Sequence, residues 1–258
     1  MATYNKRGYK QPKQKEVTET VEEVIVDEKE SKTAEVFSKL DETASKTEDW
    51  VAKNQKIIIG LVAGVAVLTI GYLAYQKFIA APKEQDAANE MFVAQQNFEK
   101  ATNGVASDSL YNLALNGSEG KFGFVKIADE YSSTSAGNLA NYYAGVAYLN
   151  TGKYDQAIAY LEKFKADDMI LGALAKGAIG DAYAQKNQAK EALEFYVKAA
   201  EYNTNDFTTP RFLMKAGKTA LELGQKEEAL KYFTEIKEKY EATPEGASVD
   251  ALIGLSQE

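Results

Sequence analysis

The sequence predicts an all-α protein in which a single N-terminal transmembrane helix precedes an α-solenoid of stacked helix pairs. Two observations carry that prediction. Residues 57–76 read IIIGLVAGVAVLTIGYLAYQ, a run without one charge. Further on, three segments of similar wording begin at Asn138, Ala173 and Pro210, 35 and 37 residues apart. Composition narrows the function classes that remain. The chain has 258 residues, no Cys and no His, which removes thiolate chemistry, His-dependent triads and His- or Cys-ligated metals. A net charge of −8 argues against a nucleic-acid binder, which needs a basic face to release counterions.

Residues 1–33 are expected to form a disordered, charged cytoplasmic tail. The first 56 residues carry 11 Lys/Arg and 12 Asp/Glu. The signs are segregated: Lys6, Arg7, Lys10, Lys13 and Lys15 come before a carboxylate-rich stretch from Glu16 to Glu30. Such blocks repel themselves and stay solvated. Over 34–56, Val36, Phe37, Leu40, Ala44, Thr47, Trp50 and Val51 recur at helical spacing. With lysines between them they predict an amphipathic juxtamembrane helix, its Trp50 suited to the headgroup layer.

The membrane span is expected over 57–79. Twenty residues at about 1.5 Å each cover roughly 30 Å, the thickness of the hydrocarbon core. Ten Ile, Leu or Val residues each favour insertion by roughly 0.3–0.6 kcal/mol, with no charge to oppose them. Gly60, Gly64 and Gly71 give one face small enough for close packing of another membrane helix. Lys39, Lys46, Lys53 and Lys56 on the amino side outnumber Lys77 and Lys83 on the other. That excess places the amino terminus in the cytoplasm and exports the rest.

Residues 82–258 then predict a periplasmic domain of about four repeats and a C-terminal capping helix. After Pro82 only Pro210 and Pro244 interrupt the chain. In the aligned segments Gly145, Gly180 and Gly217 fall mid-helix, where glycine costs about 1 kcal/mol relative to alanine. Twelve residues on stand Ala157, Ala192 and Ala229, and four after those Leu161, Tyr196 and Phe233. Small residues on one helix and large ones on its partner set a close interhelical approach. Tyr148, Tyr183 and Ala220 follow three residues after each glycine, and Gly152 and Gly224 mark two of the turns. Gly120, Phe124 and Ile127 are expected on the second helix of a preceding unit, and 102–119 as a loop with a short helix. A segment from Val249 to Leu255 is read as the cap.

This pattern resembles the tetratricopeptide repeat, with its period of about 34 and its G-x-x-Y followed by alanine. The resemblance implies a groove lined by the first helix of each pair and used to hold a peptide or a partner domain. Its positions here are Leu139, Tyr142, Val146 and Asn150, then Leu174, Asp181 and Gln185, then Arg211, Met214, Lys218 and Glu222. Tyr142 is the expected anchor. No catalytic set, metal site or cofactor site is expected; Asp167-Asp168 and Glu227-Glu228 read as a turn and a solvated helix start.

The plan of short tail, one span and exported repeats, with the wording ADEYSSTSAGNLANYYAGVAYLNTGKYDQAIAYLEKF, IGDAY and PRFLMKAG, resembles the YfgM-like ancillary subunits of the SecYEG translocon in their bacteroidete form. The tail is longer and more charged than is usual there. The resemblance implies a non-catalytic, chaperone-like adaptor in the inner membrane, partnered by SecYEG and a PpiD-like membrane-anchored periplasmic chaperone. Other readings of the same plan are a scaffold of another envelope-assembly or secretion complex, and a membrane signalling subunit.

Overall fold

The computed structural model describes residues 32–104 and 107–258. The expected disordered tail falls almost wholly outside these residues. Among the described residues the chain is helical apart from one two-stranded hairpin.

Helix α1 runs over Lys32–Tyr75. Residues 34–56, expected as a separate amphipathic helix, and the apolar run are therefore one helix. Its apolar side chains are exposed along the whole length, from Phe37 at 66% through Trp50 at 61% to Leu68 at 75%. Exposed pairs Lys39–Glu35 and Lys46–Glu42, each one helical turn apart, supply the polar side of the first half. A Cβ added at Gly60, Gly64 or Gly71 would meet nothing within 4 Å. The regular α-helical ladder ends at Tyr75. A π-helical turn, Gln76–Ala80, follows, with the Ala81 N–H bonded to the Gln76 carbonyl. Pro82 supplies the reason, since it has no N–H to continue the regular ladder.

The second compact unit, Ile70–Glu258, begins its packed part with α2 (Ala81–Asn103), α3 (Asp108–Asn116), strands β1 (Gly117–Ser118) and β2 (Lys121–Phe122), and α4 (Phe124–Glu130). Three helix pairs follow: α5 (Ser135–Asn150) with α6 (Tyr154–Lys163), α7 (Met169–Gln185) with α8 (Ala189–Glu201), and α9 (Thr209–Glu222) with α10 (Lys226–Lys239). Two short helices close the chain, α11 (Pro244–Ser248) and α12 (Asp250–Gln257). The buried Val249 and the partly buried Leu252 and Ile253 join the α9–α10 core, so α12 covers the last pair.

Within each pair the glycine does what the sequence predicts. A Cβ on Gly145 would lie 2.5 Å from Leu161 Cγ, and one on Gly180 2.7 Å from the Tyr196 ring. At Gly217 the Phe233 ring is closer still. Ala157, Ala192 and Ala229 are completely buried. The turns after α5, α7 and α9 share one geometry. Gly152 and Gly224 have φ of +72° and +75°, and Asn187 takes the same left-handed place at +58°. In each, the next residue's N–H bonds back to Tyr148, Tyr183 or Ala220 at 2.8–2.9 Å, which closes a Schellman motif. Asparagine tolerates that conformation, which is why the middle repeat turns without glycine.

The short helix expected within 102–119 is α3, and the hairpin after it was not expected. Residues 108–122 form helix α3 and the hairpin, and Gly120 sits in the hairpin turn with φ +74° instead of on a helix. Phe124 and Ile127 do lie on a helix, fully buried. Two carboxylates of α2 fasten these parts. Glu90 accepts from Lys121 Nζ at 2.8 Å and from the Phe122 N–H at 3.0 Å; the lysine contact foremost, then the backbone bond, hold its carboxyl below the ordinary range. Glu84 accepts from the N–H groups of Ser135 and Ala136 at 2.7 and 2.8 Å, a carboxylate on the positive end of α5.

The sequence ends two helices alike, in Glu130-Tyr131-Ser132-Ser133-Thr134 and in Lys239-Tyr240-Glu241-Ala242-Thr243-Pro244, and the structure shows one motif at both. In Tyr131-x-x-Thr134-x-x-Gly137 and Tyr240-x-x-Thr243-x-x-Gly246, the threonine hydroxyl donates to the tyrosine carbonyl at 2.7 Å. It also accepts from the glycine N–H, at 2.9 and 3.2 Å. The α4–α5 and α10–α11 corners are therefore equivalent, and α11 starts a further, shortened repeat.

Ala192→Trp is expected to destabilise the repeat domain by about 1–3 kcal/mol or more, because the close α7–α8 approach leaves no room to expand. Exposed Lys190→Ala should stay within about ±0.5 kcal/mol. Thermal unfolding of the two variants checks this; equal melting temperatures would contradict the packing.

Candidate protein-interaction surface

The eleven expected groove positions on α5, α7 and α9 separate into two sets. Asn150, Gln185 and Glu222 are exposed at the C-terminal ends of the three helices, and Arg211 and Lys218 are exposed on α9. The others pack between repeats. Leu139 is partly buried against the core shared by α2–α5, and Leu174 against the α7–α10 core. Val146 lies against the core that includes Ala175 and Ile179 of α7.

Tyr142 joins the same core, its ring centroid 5.4 Å from Phe164 and 5.7 Å from Tyr143. Burial, with a smaller effect of Tyr143, pushes its phenol above the ordinary value. Tyr142 therefore packs α5 onto the end of α6, and little of its ring is left for a partner. Met214 is 8% exposed, within the α7–α10 core, and this corrects its expected place in the groove. The cause is common to these positions. Successive first helices approach closely enough that residues one turn inside the groove edge meet the next repeat; at Gly177 the Phe212 ring of α9 occupies the space a Cβ would need.

Asp181 is likewise engaged. Its carboxylate accepts from Tyr196 Oη at 2.7 Å and from Lys215 Nζ at 2.5 and 2.8 Å. Lys215 Nζ also stands 5.4 Å from the Tyr196 ring centroid. Three helices meet at this half-exposed carboxylate. Burial first, and then the Asp181 charge, push the Tyr196 phenol far up. Asp168, one of the paired carboxylates, caps α7 by accepting from the N–H groups of Ile170 and Leu171, both at 2.8 Å. Glu228 accepts from Tyr232 Oη at 2.7 Å.

An exposed aromatic was missed by sequence reasoning. Phe207 is 60% exposed in the α8–α9 turn. Asn205 Oδ1 accepts from the N–H groups of Phe207 and Thr208 at 2.9 and 2.8 Å. Its Nδ2 donates to Asn203 O and to Thr208 Oγ1, each at 2.7 Å. The signal was present: an Asn shortly ahead of a helix start favours an Asx turn, its side chain bonding backbone N–H groups two and three residues on. A large aromatic fixed on a rigid turn has the character of an interface anchor.

Residues 139–168 and 212–242 match one family model described as tetratricopeptide repeat, and residues 173–206 match a second of the same description. No curated protein matches the chain. The three matches fall on α5–α6, α9–α10 and α7–α8 respectively. These three helix pairs are tetratricopeptide repeats, an architecture that serves protein–protein interaction.

Proposed function

We propose that this protein is a non-catalytic, membrane-anchored adaptor whose repeats hold a protein partner at the Sec translocon. The observation that carries the reading is the union, in one chain, of three tetratricopeptide repeats with an uncharged apolar helical stretch left exposed. Exposure of that many large apolar side chains in water is unfavourable by about 25 cal/mol per Å². A bilayer covers them; Lys39, Lys46, Lys53 and Lys56 then favour a cytoplasmic amino terminus and a periplasmic repeat domain. In this reading the chain crosses the bacterial inner membrane once. Gly60, Gly64 and Gly71 offer a close-packing face to a second membrane helix. The proposed partners are SecYEG and a PpiD-like chaperone, supported by the sequence resemblance; the exposed residues Asn150, Gln185, Arg211, Lys218 and Glu222 are the available part of the first-helix face.

The absence of native cysteine makes topology directly measurable. A membrane-impermeant maleimide applied to intact spheroplasts should label Lys218→Cys and leave Lys10→Cys unlabelled. Labelling of Lys10→Cys from outside would reverse the orientation and remove the translocon reading. Recovery in mild detergent, read by mass spectrometry, should bring down SecY and SecE with the full chain. Outer-membrane assembly proteins in their place would favour the envelope-scaffold alternative.

A further inference from the structure

An open cleft of about 1080 Å³ lies between the second-helix positions α4 and α6. Its floor is the start of α5, where Asn138 and Asn141 stand; one wall is α4, the other is Tyr160 and Lys163 of α6 with the chain that follows. The same space one repeat later, between α6 and α8, is about 250 Å³. There Tyr202 folds over Gly172, its ring where a Cβ would stand, and its Oη donates to the Ala166 carbonyl at 3.2 Å. Between α4 and α6, among the described residues, backbone of Tyr131 and Ser132 and not a ring stands nearest the corresponding Gly137, and the cleft stays open and is lined mostly by polar residues.

Two features show what the open cleft fits. The first is Asn141, 8% exposed. Its Nδ2 donates to the Gly137 carbonyl at 3.1 Å, while its Oδ1 lines the cleft with no bond among the described residues. A carboxamide oxygen held this way is a fixed acceptor for an incoming N–H. The second is charge. Lys126, Lys163 and Lys165 share the rim with Asp129, Glu130 and Asp167. Eight ion pairs form among the described residues, and none involves any of these six. Three cations balanced by three carboxylates make a poor track for a phosphate backbone. A ligand of one sign would face as much repulsion as attraction.

We propose that this cleft binds an extended polypeptide segment bearing side chains of both charge signs, with the Asn141 carboxamide accepting from its backbone. The site lies on the second-helix side of the array, apart from the first-helix face, and it rests on the adaptor reading given above. Its occupant meets Asp129 and Glu130 with cations and Lys163 and Lys165 with carboxylates. Asn138 is already committed: it donates to the Lys165 carbonyl at 2.6 Å and accepts from the Lys165 N–H at 2.8 Å, which fixes one wall.

The test pans a phage-displayed library of random dodecapeptides on the detergent-solubilised full chain and titrates the enriched peptides. They should combine Lys or Arg with Asp or Glu. They should bind at least tenfold more weakly to Asp129→Lys/Lys163→Glu, which keeps net charge and alters two exposed groups outside the ion pairs, Lys163 Nζ standing 5.0 Å from the Tyr160 ring centroid. Lys218→Glu/Glu222→Lys should bind them as the parent does, with helical content by circular dichroism the same in all three. Peptides that are apolar or of one sign, or that are indifferent to the cleft variant, would overturn the proposal. Loss on the first-helix variant instead would overturn the cleft and leave the adaptor reading standing. A library that enriches nothing would also overturn the cleft, while recovery of SecY and SecE decides the adaptor reading separately.

Discussion

Everything in the repeat domain depends on one steric arrangement, a glycine backbone against a large side chain at the crossing of each helix pair. Gly145, Gly180 and Gly217 meet Leu161, Tyr196 and Phe233 at distances that leave no room for a methyl group. An alanine in those places would favour the isolated helix by about 1 kcal/mol. The chain gives up that propensity three times, and what it gains is a fixed approach between helices. The completely buried Ala157, Ala192 and Ala229 lie one turn away, where the second helix itself must be slim. Once the pair geometry is set, the next first helix packs onto it, and the array grows by contacts between neighbours.

That regularity explains where binding surface remains. Close stacking of α5, α7 and α9 draws Tyr142, Val146, Leu174 and Met214 into inter-repeat packing. What the first helices leave exposed is mostly polar, at their C-terminal ends and along α9, with Met169 and Ala184 of α7 as apolar exceptions. Irregularity does the reverse. Tyr202 narrows one gap between second helices, and the preceding gap, without a counterpart ring among the described residues, is wider. Departures from the repeat, and not the repeat itself, distinguish one face of this domain from another.

Legibility in the sequence followed the same division. The Gly–Ala–large pattern is periodic, so spacing alone located the three pairs and their crossings. Turn positions were legible where glycine marked them and missed at Asn187, whose left-handed conformation has a weaker signature. Gly120 was misplaced because a glycine in a hairpin turn and one on a helix look alike without a partner strand in view. The interaction surface was read least well. Whether Met214 faces a groove or the next repeat depends on the distance between successive first helices, which no residue on α9 encodes alone. Nor does spacing reveal that Asn141 turns its oxygen into a cleft, since that requires the absence of a ring two helices away.

The crossing itself is open to a sign test using two glycine-to-alanine changes. Gly254 lies on α12 with nothing within 4 Å of an added Cβ, whereas Gly217 lies under the fully buried Phe233 ring. Thermal unfolding of the two variants compares helix propensity alone with propensity opposed by the crossing. Gly254→Ala should raise the melting temperature, by up to about 1 kcal/mol of stability. Gly217→Ala should lower it, because overpacking by one methyl in a closed site costs about 1–3 kcal/mol. A melting temperature raised in both would show that the helices are not held together at the glycine, and would contradict the account at its base.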